Sequence, residues 1–176
     1  MKIRFKRIIN SDNIESLLEL YETSFPSEER REFDQLKLLV QEEDHYINQI
    51  LINKNKIAGL CIFWVFSEFV FIEHLAVNAE LRGIGIGEGT LSALREKFKI
   101  LILETELPVN EISKRRIKFY ERNGFSLLER QYFQPSYDKN KPEVELKIMC
   151  TKADISDEKL SEYLLQIRKK VYRKIS

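Results

Sequence analysis

The chain has 176 residues, 43% hydrophobic and 32% charged, with a formal net charge of +1. Such a length and mixture suit one globular domain with a sizeable core and exclude a disordered chain. A near-zero charge leaves no global field to recruit nucleic acid or a membrane surface, and no apolar run approaches the ~20 residues that span a bilayer.

Residues 2–8 alternate charged and apolar side chains, which predicts a first strand rather than a signal peptide. Asp12 and Glu15 have capping-box spacing, and Ile14, Leu17, Leu18 and Tyr21 share one helical face. The segment 24–30, with Pro26, ends that helix, and Phe33, Leu36 and Val40 mark the buried stripe of a second. The period then falls to two. Residues 46–52, 57–66 and 69–77 read as a three-stranded meander with turns at 53–56 and 67–68. A helix with Leu91, Leu94 and Phe98 facing inward runs to about residue 98, and the apolar run 100–103 predicts a central strand covered on both faces. The next helix ends at Asn123-Gly124, with Gly124 as a left-handed C′ cap and Phe125 as its hydrophobic partner. Strands at 125–133 and 144–149 flank a Pro-containing loop. Residues 156–175 carry Leu160, Tyr163, Leu164, Ile167 and Val171 at helical spacing. They predict an amphipathic C-terminal helix within 151–176, packed on a domain of residues 1–150 or at a subunit contact. Cys61 and Cys150 lie in strand-like apolar runs, which suits reduced core thiols and a cytoplasmic location.

The strongest chemical signal is Leu81-Arg82-Gly83-Ile84-Gly85-Ile86-Gly87-Glu88, between a strand and a helix. Each glycine in a helix's first turns costs about 1 kcal/mol relative to alanine, and Gly85, Gly87 and Gly89 all fall there. A tight connection needs one or two of them. A phosphate cradle uses them all: bare N–H groups at a partly positive helix end can surround a diphosphate, and Arg82 adds a forked donor. A dinucleotide fingerprint, Gly-x-Gly-x-x-Gly, fails here at Glu88 and at Thr90, although Glu104 and Glu106 stand at about the distance of a ribose contact. The lead-in is a meander rather than a βαβ unit. A P-loop's Gly-Lys-Ser/Thr is absent.

Arg82 to Gly87 resemble the Arg/Gln-x-x-Gly-x-Gly/Ala signature of the GNAT superfamily of N-acetyltransferases. Ile72-Glu73-His74-Leu75-Ala76-Val77 is similar to the strand that precedes it there, and Phe119-Tyr120-Glu121-Arg122-Asn123-Gly124-Phe125 to the family's aromatic-Tyr helix end. The element order over residues 2–150 agrees. The resemblance implies an α/β fold: a mixed, mostly antiparallel twisted sheet of six to seven strands, flanked by about four helices, plus the C-terminal helix. The sheet splays between the strands ending near Val77 and Leu103, where acetyl-CoA enters. It implies that Arg82, Gly83, Ile84, Gly85, Ile86 and Gly87 hold the diphosphate, with Phe119 and Arg122 beside the cofactor. It implies further that the main chain of Leu75, Ala76 and Val77 pairs with the pantetheine arm and that an N–H there, that of Leu75, faces the thioester oxygen.

Acetyl transfer to an amine needs a base for the ammonium and an acid for the leaving thiolate. The resemblance puts Tyr120 in the acid's place. Glu73, two residues before Leu75 and so expected on the same strand face, ranks first as base, Glu104 second and Glu106 third; burial near the cofactor should raise such a carboxyl's pKa. His74 should face the other way as a structural histidine, and His45 carries no signal. The amine acceptor, small molecule or peptide, is expected between Phe25, Glu28 and Glu29 on one side and Tyr132, Tyr137 and Glu106 on the other, although Glu28 and Glu29 equally suit a helix's first turn. Arg115 and Arg116 are expected on the solvated face of their helix, although Arg116 can reach the phosphates. No metal is required, and no cysteine is placed as a nucleophile, so the transfer is expected to be direct, in a ternary complex of a monomer or homodimer. Arg168, Lys169, Lys170, Arg173 and Lys174 lack interleaved aromatics, which disfavours nucleic acid. A non-catalytic acyl-CoA sensor on the same scaffold is the alternative.

Overall fold

The computed structural model describes residues 2–53 and 55–173. Eight strands form one sheet: β1 (Arg4–Arg7), β2 (His45–Ile52), β3 (Lys56–Val65), β4 (Val70–Val77), β5 (Leu101–Glu106), β6 (Ser126–Leu127), β7 (Tyr132–Gln134) and β8 (Val144–Cys150). Among the described residues five α-helices accompany them: α1 (Leu18–Ser24), α2 (Phe33–Leu38), α3 (Ile86–Arg95), α4 (Glu111–Arg122) and α5 (Asp157–Lys170). The strand order is β1-β2-β3-β4-β5-β8-β6, with β7 also on β8. Every pairing is antiparallel except β4 with β5.

That parallel pairing is short. Val70, Phe71 and Ile72 lie opposite Leu101, Ile102 and Leu103, and there the pairing stops. β4 runs on to Val77 along β3, while β5 runs on through Glu104, Thr105 and Glu106 along β8. The sheet therefore splits into a wedge. A second irregularity lies beside it: Ile62 pairs with His74 and Phe63 with Ile72, so Glu73 is an extra residue, a β-bulge.

The periodic residues of the sequence fill two faces. α3 and α4 bury Ile86, Leu91, Leu94, Ile117 and Tyr120 against Cys61, Phe63 and Ile72. On the other face Ile14, Leu17, Tyr21 and Leu36 cover Ile47, Leu60, Ile62 and Ala76. Next to them α5 and the residues after it bury Leu160, Tyr163, Ile167, Val171 and Tyr172 against Trp64, Phe69 and Phe71. Each such side chain contributes about 1.5–3 kcal/mol relative to exposure, enough to dock α5 firmly on the sheet.

Several boundaries differ from expectation for local reasons. The first helix opens as a 3-10 segment, Ser11–Leu17, before α1; the Asp12 side chain of the expected capping box lies outside the described residues. Val40 belongs to a 3-10 turn, Leu39–Gln41, appended to α2. β5 is longer than its apolar run because Glu104 and Glu106 alternate with buried Thr105 along the wedge. The single strand expected at 125–133 is two, β6 and β7, because the Arg130 N–H turns back onto the Leu128 carbonyl at 2.9 Å; hence eight strands rather than six or seven. The end of α4 follows the sequence closely: Gly124 N–H donates to Glu121 O and Phe125 N–H to Tyr120 O, the Schellman pair. α5 ends at Lys170; Lys174 and Ile175 lie outside the described residues. Both cysteines are free and buried.

Candidate active site

A cavity of about 570 Å³ occupies the wedge where β4 and β5 part. The glycine turn forms one end, Ile72, Leu103 and Leu146 the apolar floor, and Arg115, Arg116, Phe119, Tyr120 and Arg122 of α4 a side wall. Phe25, Glu29, Glu104, Glu106 and Gln134 surround the other end.

Gly83 and Gly85 have φ of +81° and +84°, and a Cβ on either would meet nothing within 4 Å. They are glycine for the backbone angle, and open space lies before them. Gly85 is the N-cap of α3 and supplies no side-chain cap, so the first N–H groups of α3 remain available. With Arg82, whose Nε donates to Val77 O at 3.2 Å, they fit a diphosphate. The remaining glycines have another purpose. A Cβ on Gly87 would come within 3.0 Å of the Phe119 ring, and one on Gly89 within 2.8 Å of Ile3. They let α3 pack closely, and Gly87 lines the cavity as well. Ile84 is 55% exposed and does not line the cavity.

Leu75, Ala76 and Val77 line the wedge along the edge of β4 that β5 has left. Tyr120 faces them from α4, and burial raises its phenol to about 12. Phe119 and Arg122 also line this wall.

Glu73 lines the cavity but not from the strand face expected of it. The bulge turns it away from Leu75, onto the α1 and α2 face beside His74. There its side chain is fully buried. Arg31 Nε donates to Oε1 at 3.0 Å, Trp64 Nε1 donates to Oε2 at 2.7 Å, and His45, stacked on Trp64, places Nε2 3.5 Å from Oε2. Burial alone would raise this carboxyl, but Arg31, His45 and His74 outweigh it and hold the carboxyl well below the usual range. His74, lowered to about 4 chiefly by burial, is neutral, with Nε2 3.3 Å from the Tyr21 hydroxyl.

The raised carboxyl is Glu104. Burial, seconded by the charges of Glu73 and Glu29, pushes it up to about 7 against the hydroxyls of Tyr132 and Tyr172, which both donate to it. Glu106 is paired with Arg116, whose side chain is 42% exposed, as suits a solvated helix face. Burial and the nearby Glu106 raise Glu29. Phe25 lies tilted against His74 with ring centroids 4.4 Å apart. Three expected residues take other positions. Glu28 is exposed and outside the cavity, where backbone and Ser27 donors at its own 3-10 turn lower it. Tyr137 is buried behind the wall, between Arg31 and Tyr172. Tyr132 reaches the cavity only through Glu104. Arg115 is exposed, as expected of a solvated helix face, and also lines the wall.

Arg31, His45, Trp64, Gln134 and Tyr172 were not legible as site residues. Arg31 follows Glu28-Glu29-Arg30, which reads as a solvated charge run, and Tyr172 lies 68 residues from Glu104.

The model of the acetyltransferase (GNAT) family matches residues 14–125. A Bacillus subtilis (strain 168) protein named "Putative acetyltransferase YjbC" is 30% identical over 104 residues, 57% of this chain; the chain spans about half the length of that relative (52%). A solved structure from Bacteroides thetaiotaomicron, titled "Putative acetyltransferase from GNAT family", is 34% identical, covers 98% of this chain and 99% of its own, and superposes with a TM-score of 0.84. The fold recurs in the Escherichia coli ribosomal-protein-S18-alanine N-acetyltransferase (18% identity, 89% and 97% of the two chains, TM-score 0.63). It recurs also in a mutant of the spermidine N-acetyltransferase SpeG from Vibrio cholerae (12%, 84% and 92%, TM-score 0.60).

Proposed function

Since this chain belongs to the GNAT family of acetyltransferases, we propose that it moves the acetyl group of acetyl-CoA to a primary amine by direct attack in a ternary complex. One observation carries the chemistry: a buried carboxyl, held by two tyrosine hydroxyls, at one end of a wedge whose other end is an uncapped helix N-terminus.

Acetyl-CoA supplies an acyl group activated as a thioester. The first N–H groups of α3, with Arg82, hold its diphosphate, and the free edge of β4 at Leu75, Ala76 and Val77 pairs with its pantetheine arm. The Leu75 N–H faces the thioester oxygen, where negative charge develops. Glu104, half ionised near pH 7, takes the proton of the incoming ammonium. The nitrogen then bonds to the acyl carbon to give a tetrahedral adduct. As this collapses the carbon–sulfur bond breaks, and Tyr120, still protonated, gives its hydrogen to the departing thiolate. The proton remaining in excess on the nitrogen passes through solvent back to Tyr120, leaving the neutral amide, the free thiol and a proton on Glu104 that is released to water. Glu73 is a poor base in comparison, since a carboxylate gripped by Arg31 and Trp64 has little affinity for a proton. Neither cysteine lines the wedge, and burial pushes the Cys61 thiol far up, which favours direct transfer over a covalent route. Phe25, Glu29 and Glu106 surround the place of the acceptor, as suits a cationic amine. Two fold relatives are named for amine acceptors, an alanine of a ribosomal protein and spermidine.

Free-thiol release from acetyl-CoA across a panel of amines tests the reading. Turnover with at least one amine is expected, with Glu104→Gln and Tyr120→Phe each slower by roughly 10²–10⁴-fold while acetyl-CoA binding persists. Binding of acetyl-CoA without turnover on any amine would instead identify an acyl-CoA sensor.

A further inference from the structure

We propose that the C-terminal segment completes the active site: Tyr172, just beyond α5, is a positioning residue that holds Glu104 at the acceptor end of the wedge. The proposal rests on the reading of Glu104 as the base.

The hydrogen-bond directions are fixed by chemistry. Gln134 Nε2 donates to the Tyr172 hydroxyl at 3.1 Å. An amide nitrogen can only donate, so the phenol oxygen accepts there, and its single hydrogen is left for Glu104 Oε2, 2.6 Å away. The other carboxylate oxygen receives the hydroxyl of Tyr132 from β7. Glu104 is thus gripped from two sides, by a strand of the sheet and by the chain's last described turn. Tyr172 does not line the wedge, so it acts through Glu104 rather than on the acceptor.

The seat of Tyr172 is rigid. Its ring is 3% exposed and lies 5.0 Å from that of Tyr137. The carbonyl of Val171, fully buried, accepts from Arg31 Nη2 at 2.7 Å, and the same guanidinium is held by Glu73. A run of buried contacts therefore ties the bulged residue of β4, through Arg31, to the segment that orients the base. Packing alone would require only the ring of Tyr172; the hydroxyl is aimed at a carboxylate it does not need for burial.

The groups facing Glu104 are Tyr132 of β7, Tyr172, Tyr137, Glu73 of β4 and Glu29 of the 3-10 turn Ser27–Glu29. Both hydroxyl donors favour its charged form and both glutamates oppose it. Losing the Tyr172 hydroxyl must therefore move Glu104 ionisation upward.

The experiment is a ¹³C NMR titration of the glutamate carboxyls in the ligand-free protein, with the Glu104 signal assigned by its loss in Glu104→Gln. Tyr172→Phe keeps the ring and is expected to raise the Glu104 midpoint by about one pH unit, the tenfold that one hydrogen bond to a charged group represents. The acid limb of the kcat/KM profile should follow it, with kcat falling and the acceptor KM unchanged. Gln134→Met, which leaves Tyr172 intact but removes the donor that directs its hydroxyl, should shift the midpoint the same way by less, and decides the matter if Tyr172→Phe fails to fold. An unmoved midpoint in every folded variant overturns the proposal. If Glu104→Gln keeps wild-type turnover, the base reading fails, and the midpoint shift still reports separately whether Tyr172 holds Glu104.

Discussion

Replacing Arg31 with methionine removes the guanidinium and keeps most of its stem. The arginine side chain is 6% exposed and its partner Glu73 is 0% exposed, at 3.0 Å. Removing one member of a buried pair strands the other charge, at a cost of about 3–5 kcal/mol. For a chain of this size each kcal/mol moves Tm by about 2–4 °C, so a fall of about 6–20 °C is expected near neutral pH. The pH dependence sharpens the test. In the wild type Glu73 is depressed below its unfolded value, so its contribution is full above about pH 5 and is lost as pH falls below the ordinary glutamate range near 4.3. In Arg31→Met burial is no longer outweighed and the Glu73 carboxyl is raised. A raised carboxyl costs stability at high pH, and that cost is relieved as pH falls through its folded value. His74, whose protonation Arg31 opposes, also charges more easily in the variant. Both effects narrow the gap between the two proteins as pH falls, while groups common to both cancel. Urea denaturation at pH 8 and pH 5 measures it. A gap below about 1 kcal/mol at pH 8, or one no smaller at pH 5, would refute the claim that Arg31 is what keeps Glu73 ionised.

Three further outcomes follow from the site. Glu104→Gln should be more stable than the wild type above pH 7, by up to about 4 kcal/mol, and similar at pH 4, because a carboxyl raised to about 7 loses folding free energy between its unfolded and folded pKa values; paired denaturation curves at the two pH values check the sign. Gly85→Ala should lose about 1–2 kcal/mol through its left-handed backbone alone, since the new methyl meets nothing, and should weaken acetyl-CoA binding in calorimetry; stability equal to the wild type would show that the turn is unstrained. Acetyl-CoA at one hundred times its Kd should stabilise the protein by about 2.7 kcal/mol in thermal unfolding, whereas NAD at the same concentration should leave Tm in place.

Most of the fold was legible because its signals are local. Helical and strand periods come from which neighbours a side chain can touch, and they located the meander, the central strand and the apolar stripes of α3 and α5. The Asn123-Gly124-Phe125 ending of α4 and the break before β7 differ in kind: the first is written in three adjacent residues, while the second depends on how two short strands share β8. The glycine turn was also visible, though only the three-dimensional neighbours separate Gly83 and Gly85, glycine for their angles, from Gly87 and Gly89, glycine for Phe119 and Ile3.

What a chain's own letters could determine here was the family signature and a short set of acids near it; the wedge between β4 and β5 was implied only through the family resemblance. Which acid can take a proton was decided by folding. Alternation placed Glu73 with Leu75, but a bulge, which exists only in the pairing of β3 with β4, reversed its face. Arg31 then meets Glu73 from 42 positions away and Val171 from 140, and Tyr172 meets Glu104 from 68. An ionisation constant depends on the charges, donors and water within a few ångströms of a group, and sequence spacing says nothing of neighbours brought together over such distances.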